Sequence, residues 1–332
     1  MKLLTIVIPA YNVEKYLNDA ISPYLKLNFV KYLEVLIVND GSKDRTLQLA
    51  KEYEKKYPDF IKVIDKQNGG HGSAINAGIE RATGKYFKVV DGDDWVDANV
   101  LDKLLGSLET TESDMIATGF VIIYEDIKQK EEVHICNVEY GKEYQFSDIC
   151  GRIDYIRMHS TIFRTKILQD NHIRLDEHCF YVDVEHDLFP LKWIKTVVFF
   201  DDLLYQYRIG RPGQSVNIKS MIKNRENHDR VIKRIIDLIR DDTLPKSVKD
   251  YMEKKLENMI NIQYSILFAM KAGKKERQEL MEYDEWLKKN NRELYNSITQ
   301  KKILLMRKMK FWNYYFVKLL YKLSGKRIDY IK

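Results

Sequence analysis

Over the first 125 residues, short apolar runs alternate with longer amphipathic stretches. LLTIVIP (3–9) is β-branched and almost without polar breaks, which predicts a buried strand. LEVLIV (33–38), FIKVI (60–64), YFKVV (86–90) and DMIATGFVII (114–123) repeat that pattern. Helices are predicted between them at 13–26, 44–57, 73–82 and 98–108. The second has Leu47, Leu49, Ala50 and Tyr53 as its apolar positions and Pro58 as its stop, and Gly84 ends the third. Alternating strands and helices, with strands this apolar, predict an α/β fold whose mainly parallel sheet is covered by helices on both faces.

Beyond residue 125 the pattern changes. Short strands are predicted near 132–138, 161–163 and 197–200, and helical stretches at 165–171 and 184–194. From about 217 the chain reads as helical. An apolar stripe runs through 230–240, Pro245 interrupts it, a long helix follows at 248–270, and two more helices come after. This divides the chain into an α/β domain at 1–215, with halves at about 1–125 and 126–215, and a helical C-terminal domain at 216–332.

Each of the first four strands ends in a polar cluster: PAYN, NDGSKD, KQNGGHG and DGDD. Parallel sheets bind ligands beyond the carboxyl ends of their strands, so four such clusters predict one nucleotide-sized site. The last cluster is the most telling. Asp91, Asp93 and Asp94 follow an apolar strand directly, and carboxylates so close repel one another unless a cation answers them. Hard oxygen ligands of this kind suit Mg²⁺ or Mn²⁺, with sites left over for phosphate oxygens. A helix cap is the competing role for such acids, and Asp97 is better placed for it. In the second cluster, Gly41 permits a sharp turn and Asp44 can cap the next helix, while Asp40 at the strand tip could accept a base N–H.

Charge sharpens the division into domains. Residues 301–332 hold ten Lys or Arg and one acid, a charge of +9 in a chain of +6, so the remainder carries −3. The body is therefore no nucleic-acid surface, and the basic tail, mixed with Leu, Phe, Trp and Tyr, suits an anionic membrane surface or a helix packed with its lysines in water. Three widely spaced cysteines, Cys136, Cys150 and Cys179, predict reduced thiols rather than disulfides or a zinc cluster. The N-terminal apolar run is too short for a secretory leader, and no stretch reaches the ~18 residues of a membrane span.

The order of motifs resembles the family 2 glycosyltransferases, inverting enzymes with a GT-A fold. Pro9-Ala10-Tyr11-Asn12 comes first, then Asn39-Asp40-Gly41-Ser42 with Asp44 and Thr46. Asn68-Gly69-Gly70 with Ala74, Asn76 and Gly78 follows, then Gly84-Lys85-Tyr86 and Asp91-Gly92-Asp93-Asp94-Trp95. The likeness covers about 3–210 and extends to relatives that build cell-surface polysaccharides. It implies that Pro9, Tyr11 and Asp40 hold the uracil of a UDP-sugar and that Asn68 and Gly69 lie against the nucleotide. Asp91 would contact ribose or metal, Asp93 would be the principal ligand of Mn²⁺ or Mg²⁺, and Asp94 would reach the donor sugar. The chain departs from the family at Asn39, at Ile75 where a basic residue is common, and at Val182; His71 is a candidate replacement for the missing cation.

An inverting transferase needs a carboxylate to take the acceptor hydroxyl proton. The family's Glu-Asp pair falls here on Val182-Asp183, which implies Asp183 as the base, with Glu185 and Asp187 as alternatives. Tyr205 to Ser215 is rich in Gly and Arg and suggests a loop closing on the diphosphate through Arg208, Arg211 and Ser215. His159 falls in the acceptor region. The acceptor would be a glycan, a teichoic-acid-like polymer or a lipid-linked glycan. The expected setting is the cytoplasm, peripheral on the inner face of the membrane, with the C-terminal helices able to support a homodimer. A sugar-phosphate nucleotidyltransferase would show a Gly-rich basic loop where this chain has PAYN, and a dehydrogenase would show GxGxxG there. A degenerate, non-catalytic nucleotide-sugar-binding protein is the remaining rival.

Overall fold

Strand β1 (Leu4–Ala10) is buried at every position because the chain lays a parallel neighbour along each of its edges and helices over its faces. A computed structural model describes residues 1–210 and 218–323. The chain divides into two compact units, Met1–Pro212 and Gly213–Lys332.

In the first unit the remaining strands are β2 (Leu33–Asp40), β3 (Ile61–Lys66), β4 (Tyr86–Val89), β5 (Trp95–Val96), β6 (Met115–Tyr124), β7 (Gln129–Val133), β8 (Glu143–Gln145), β9 (Thr161–Arg164) and β10 (Thr196–Ile209). They form one sheet in the order β3-β2-β1-β4-β9-β6-β10-β5, with β7 added on β6 and β8 on β10. The β1–β4 block is parallel, β6 and β10 are parallel, and β9 joins the two blocks antiparallel to both sides.

Register explains why distant motifs meet. Ala10 faces Asn39, and Asp40 faces Lys66. Beyond β4, the amides of Val90 and Gly92 bond the carbonyls of Val7 and Pro9. The carboxyl ends of β1 to β4 thus share one edge. Gly92 is needed there, since a Cβ would stand 2.8 Å from the Pro9 carbonyl oxygen.

Several elements differ from the sequence expectation for identifiable reasons. The helix expected at 13–26 shrinks to Leu17–Ile21 with a 3₁₀ turn at Ser22–Lys26. Val13 N–H and Glu14 N–H are instead taken by Thr46 Oγ1 and Asp44 Oδ2, and Pro23 has no N–H to continue an α-helix. The strand expected at 197–200 runs for 14 residues, and 205–209, expected as a loop, is its second half. Its register on β6 shifts between Phe200 and Leu203 and again before Tyr205. This bulge, at the polar pair Asp201-Asp202, breaks the alternation that would have announced a long strand. The short strands β5 and β8 carry no sequence signal of their own. The helix expected at 184–194 is Val182–Leu188 followed by a 3₁₀ turn at Phe189–Lys192, where Pro190 intervenes.

The second unit is helical, as its stripes predict. Val231, Ile232, Ile235, Ile236 and Ile239 are buried on helix Arg225–Ile239, and helix Lys246–Ala269 begins just after Pro245. Four helices follow it where two were expected: Lys274–Asn290, Arg292–Asn296, Lys301–Lys308 and Tyr314–Leu323. No helix among the described residues is long and apolar enough to cross a membrane.

Candidate active site

The site grows from the tips of β1 to β4. Asp40, at the end of β2, is buried and accepts four hydrogen bonds. Lys66 Nζ (2.8 Å) and Gly69 N–H (2.9 Å) donate to Oδ1, and Asn68 Nδ2 (3.0 Å) and Gly70 N–H (2.8 Å) to Oδ2. One carboxylate therefore shapes the whole Asn68–Gly69–Gly70 turn. Gly70 has φ +86°, a conformation that side chains resist, and it launches helix His71–Arg81. Lys66 was not singled out in the sequence, although a lysine closing an edge strand two residues before Asn68 is a visible signal. On the neighbouring tip Pro9 is buried, while the Tyr11 ring is exposed and open to a planar ligand. Asn39 gives its side-chain amide to Asp65, so the departure from the family acid is absorbed by a local pair.

His71 is the junction of the site. Its Nε2 lies 2.7 Å from Asp91 Oδ1. Burial opposes its protonation, yet the charges of Asp91, Asp183 and Asp40 together hold its pKa above the ordinary histidine range. Acids from three separate motifs thus act on one imidazole. Ile75, the position of the missing family cation, points into the core instead.

Asp91 and Asp93 are half-buried on the turn after β4, with oxygens of the hard type a divalent cation prefers. Asp94 is different. It is buried, and its oxygens accept from Tyr205 Oη (2.7 Å) and the Arg208 N–H (2.8 Å). Burial, and then the charge of Asp91, push its pKa upward. Tyr205 Oη in turn accepts the Asp91 N–H, so β10 clamps the acidic turn from beneath.

The helix carrying the expected base sorts its acids cleanly. Glu185 is fully buried and accepts the Asp176 N–H at 2.7 Å. Asp187 is buried, accepting from Tyr155 Oη at 2.8 Å. Asp183 is exposed in the first helical turn. The residue before the helix, Tyr181, has φ +68°, a strained conformation next to the candidate base. Asn76 pins this region. Its side chain bonds both the carbonyl and the N–H of Leu175 at 2.9 Å. The His178 N–H bonds the Gly69 carbonyl, tying the helix entrance to the third motif. The asparagine of that motif therefore positions the acid helix, a role no spacing reveals.

Other expected residues sit elsewhere than free in the pocket. The His159 ring packs against Phe120, Tyr205 and Tyr207 at centroid distances of 5.2, 4.8 and 4.3 Å, and burial pushes its pKa down to about 3. The Arg208 guanidinium is buried between the rings of Tyr16 and Trp95 and pairs with Asp19 and Glu125. Arg211 and Ser215 lie outside the described residues. Two basic residues were missed. Lys88, fully buried in β4, donates to the His159 carbonyl at 2.8 Å, and burial brings its pKa down to about 7. A lone lysine inside YFKVV was its signal. Arg157 is exposed, and its charge acts on both Tyr207 and His159.

With this geometry in view, residues 5–171 match the family model described as glycosyl transferase family 2. The chain belongs to that family. It is 28% identical over 243 residues to the minor teichoic acid biosynthesis protein GgaB of Bacillus subtilis, covering 71% of this chain and 26% of that one. It is 25% identical over 291 residues to the poly(ribitol-phosphate) β-N-acetylglucosaminyltransferase TarS of Staphylococcus aureus, covering 86% and 48%. The chain thus spans about a quarter to a half of the length of these relatives. Among solved structures, S. aureus TarS 1–349 in complex with UDP-GlcNAc aligns over 99% of this chain and 93% of its own, with a TM-score of 0.65 and 21% identity. The mannosyltransferase PcManGT from Pyrobaculum calidifontis, in complex with GDP-Man and Mn²⁺, gives a TM-score of 0.53 at 13% identity over 98% of this chain and 88% of its own. These likenesses establish the GT-A fold followed by a helical region.

Proposed function

We propose that the protein moves a sugar, with inversion, from a UDP-sugar to a hydroxyl of a cell-surface polysaccharide, teichoic-acid-like polymer or lipid-linked glycan. The observation that carries this reading is the convergence of Asp40, Asp91 and Asp183 on His71, with Asp183 the exposed acid of its helix. The teichoic-acid relatives and the UDP-GlcNAc-bound fold neighbour support the choice of donor and acceptor class.

The residues present fit a divalent cation. Asp91 and Asp93 offer hard oxygens on one turn, and beside them the Asp94 carboxyl is pushed up by burial and then by the charge of Asp91. No group of three or more His, Cys, Asp or Glu side chains is arranged for a metal among the described residues. A cation held by two carboxylates on one turn would keep coordination positions for donor phosphates. When bound, the cation would neutralise charge on the departing diphosphate.

The chain's own residues do the rest. Tyr11 presents its exposed ring to the uracil, beside the turn that Asp40 organises. Pro9 forms the floor, and Asn68, exposed at that turn, meets the nucleotide. His71, whose pKa its three acids raise against the effect of burial, holds Asp91 and would add positive charge near the diphosphate when protonated. Arg157, and Arg211 and Ser215 as the family resemblance implies, are the further diphosphate candidates, whereas the Arg208 guanidinium is held by Asp19 and Glu125. Asp183 accepts the acceptor hydroxyl proton as the new carbon–oxygen bond forms and the bond to the diphosphate breaks. His159 and its aromatic neighbours would shape the acceptor side. In this reading the reaction runs on the cytoplasmic side of the cell membrane.

The test is UDP release from a panel of UDP-sugars with Mn²⁺ or Mg²⁺, with and without glycan acceptors. Asp183→Asn should lower transfer by about 10²–10⁴-fold while UDP binding survives. Normal transfer by that variant would refute the base assignment. Tight UDP binding with no turnover of any donor would favour the non-catalytic alternative.

A further inference from the structure

The last described helix, Tyr314–Leu323, has two apolar faces. Phe311, Tyr314 and Val317 are buried. Tyr315, Phe316, Leu319, Leu320 and Leu323 form a second stripe, spaced i, i+1, i+4, i+5 and i+8 along one side, and Trp312 lies in the turn just before the helix. All six are open to solvent, from 46% at Tyr315 to 82% at Trp312. The preceding helix, Lys301–Lys308, and the turn after it expose Leu304, Leu305 and Met309 as well. Nine of the fifteen exposed large apolar side chains among the described residues therefore fall within 304–323, while the other six are scattered. A stripe of this length on a helix already packed by its other face is a docking surface.

Charge decides what docks. Residues 301–323 contain seven Lys or Arg and no acid. Lys301, Lys308 and Lys310 are exposed, whereas Arg307 is spent internally on Asp284. A second copy set against this face would bring like charges together. An anionic surface would complement them, and Trp and Tyr at its edge have the amphipathic character suited to a headgroup boundary. We infer that this face binds the surface of an anionic lipid bilayer. The apolar stripe lies in the interface plane, and the exposed lysines meet lipid phosphates. This goes beyond sugar transfer and does not depend on it.

The experiment is vesicle flotation of the full chain with phosphatidylcholine alone and with phosphatidylcholine mixed with phosphatidylglycerol. Binding to the mixed vesicles only, weakened by salt, with a blue shift in tryptophan emission that Trp312→Gln removes, is expected. The triple variant Trp312→Gln/Phe316→Gln/Leu319→Gln should abolish flotation. Lys301→Glu/Lys308→Glu should weaken it by about tenfold or more, since two surface charges are reversed. Both variants change exposed positions, so circular dichroism and lipid-free UDP binding should stay as in the parent. Absence of flotation, equal flotation with neutral vesicles, or a concentration-dependent dimer in light scattering that the triple variant dissolves would each overturn the inference.

Discussion

Each unit buries an aspartate beside a tyrosine and an arginine, and the two arrangements behave in opposite ways. In the helical unit, Asp284 Oδ1 accepts from Tyr264 Oη and from Arg307 Nε, both at 2.7 Å, and Arg307 also reaches Tyr264 Oη and stacks on Tyr295. The charge is answered on the spot. In the α/β unit, Asp94 has the Tyr205 hydroxyl but only the backbone N–H of Arg208, whose guanidinium turns away to Asp19 and Glu125. Asp91 stands next to it with the same sign of charge. The first cluster is closed and structural. The second sets two carboxyls, Asp91 and Asp94, at one strand tip with the Arg208 side chain directed elsewhere, an arrangement that an outside cation would relieve.

The largest test of this contrast is Asp284→Ala. It leaves the largely covered Arg307 guanidinium without its carboxylate and should cost about 3–5 kcal/mol, read as a lower midpoint in thermal or urea denaturation of the helical unit. A loss below 1 kcal/mol would show that Asp284 is not the centre of its cluster.

A second difference lies in acid. His228, buried in the helical unit and bonded to Gln263, has its pKa pushed down to about 4 by burial. The folded state keeps it neutral while the unfolded chain takes up a proton below about 6.5, so its stabilising contribution is present above that pH and falls as pH drops toward 4. The loss is about 3 kcal/mol across that window. His228→Gln should flatten the dependence, and an unchanged profile would dismiss the histidine as its source.

At the open cluster, Asp93→Ala should weaken Mn²⁺-dependent UDP binding by about a hundredfold, the scale at which one preorganised electrostatic group acts. Calorimetry without metal should show no difference between parent and variant. Equal affinities in the presence of Mn²⁺ would remove Asp93 from the metal site.

The smallest effect is expected from Asp94→Asn. Its carboxyl already favours the neutral form, and an amide can still accept from Arg208 N–H. Folding stability should change by about 1 kcal/mol or less. A loss as large as that of Asp284→Ala would erase the distinction between the two clusters.

Much of this is legible in the sequence. Strand-end motifs could be placed because parallel strands end in loops on one side, and register then brings those loops together whatever their separation in sequence. The basic, aromatic-rich character of the tail is plain in the sequence, but which of its apolar residues are covered is not, since spacing does not say which of two apolar faces packs. Other features left no trace in the pattern. The bulge at Asp201-Asp202 hid the second half of β10. The roles of Asn76 and Glu185 depend on segments about a hundred and about ten residues away. Arg208 looked like a loop cation and proved to be a buried pillar between two rings.

The chain's order of apolar runs and polar tips determined by itself that a parallel sheet would gather acids and glycines at one edge, since strand polarity and side-chain alternation are local properties. Tertiary structure alone decided which acids stay open. Exposure, partner and field at Asp183, Asp94 and Asp284 are set by neighbours that sequence distance conceals, and the free energy of a charge depends on those neighbours rather than on the residue that bears it.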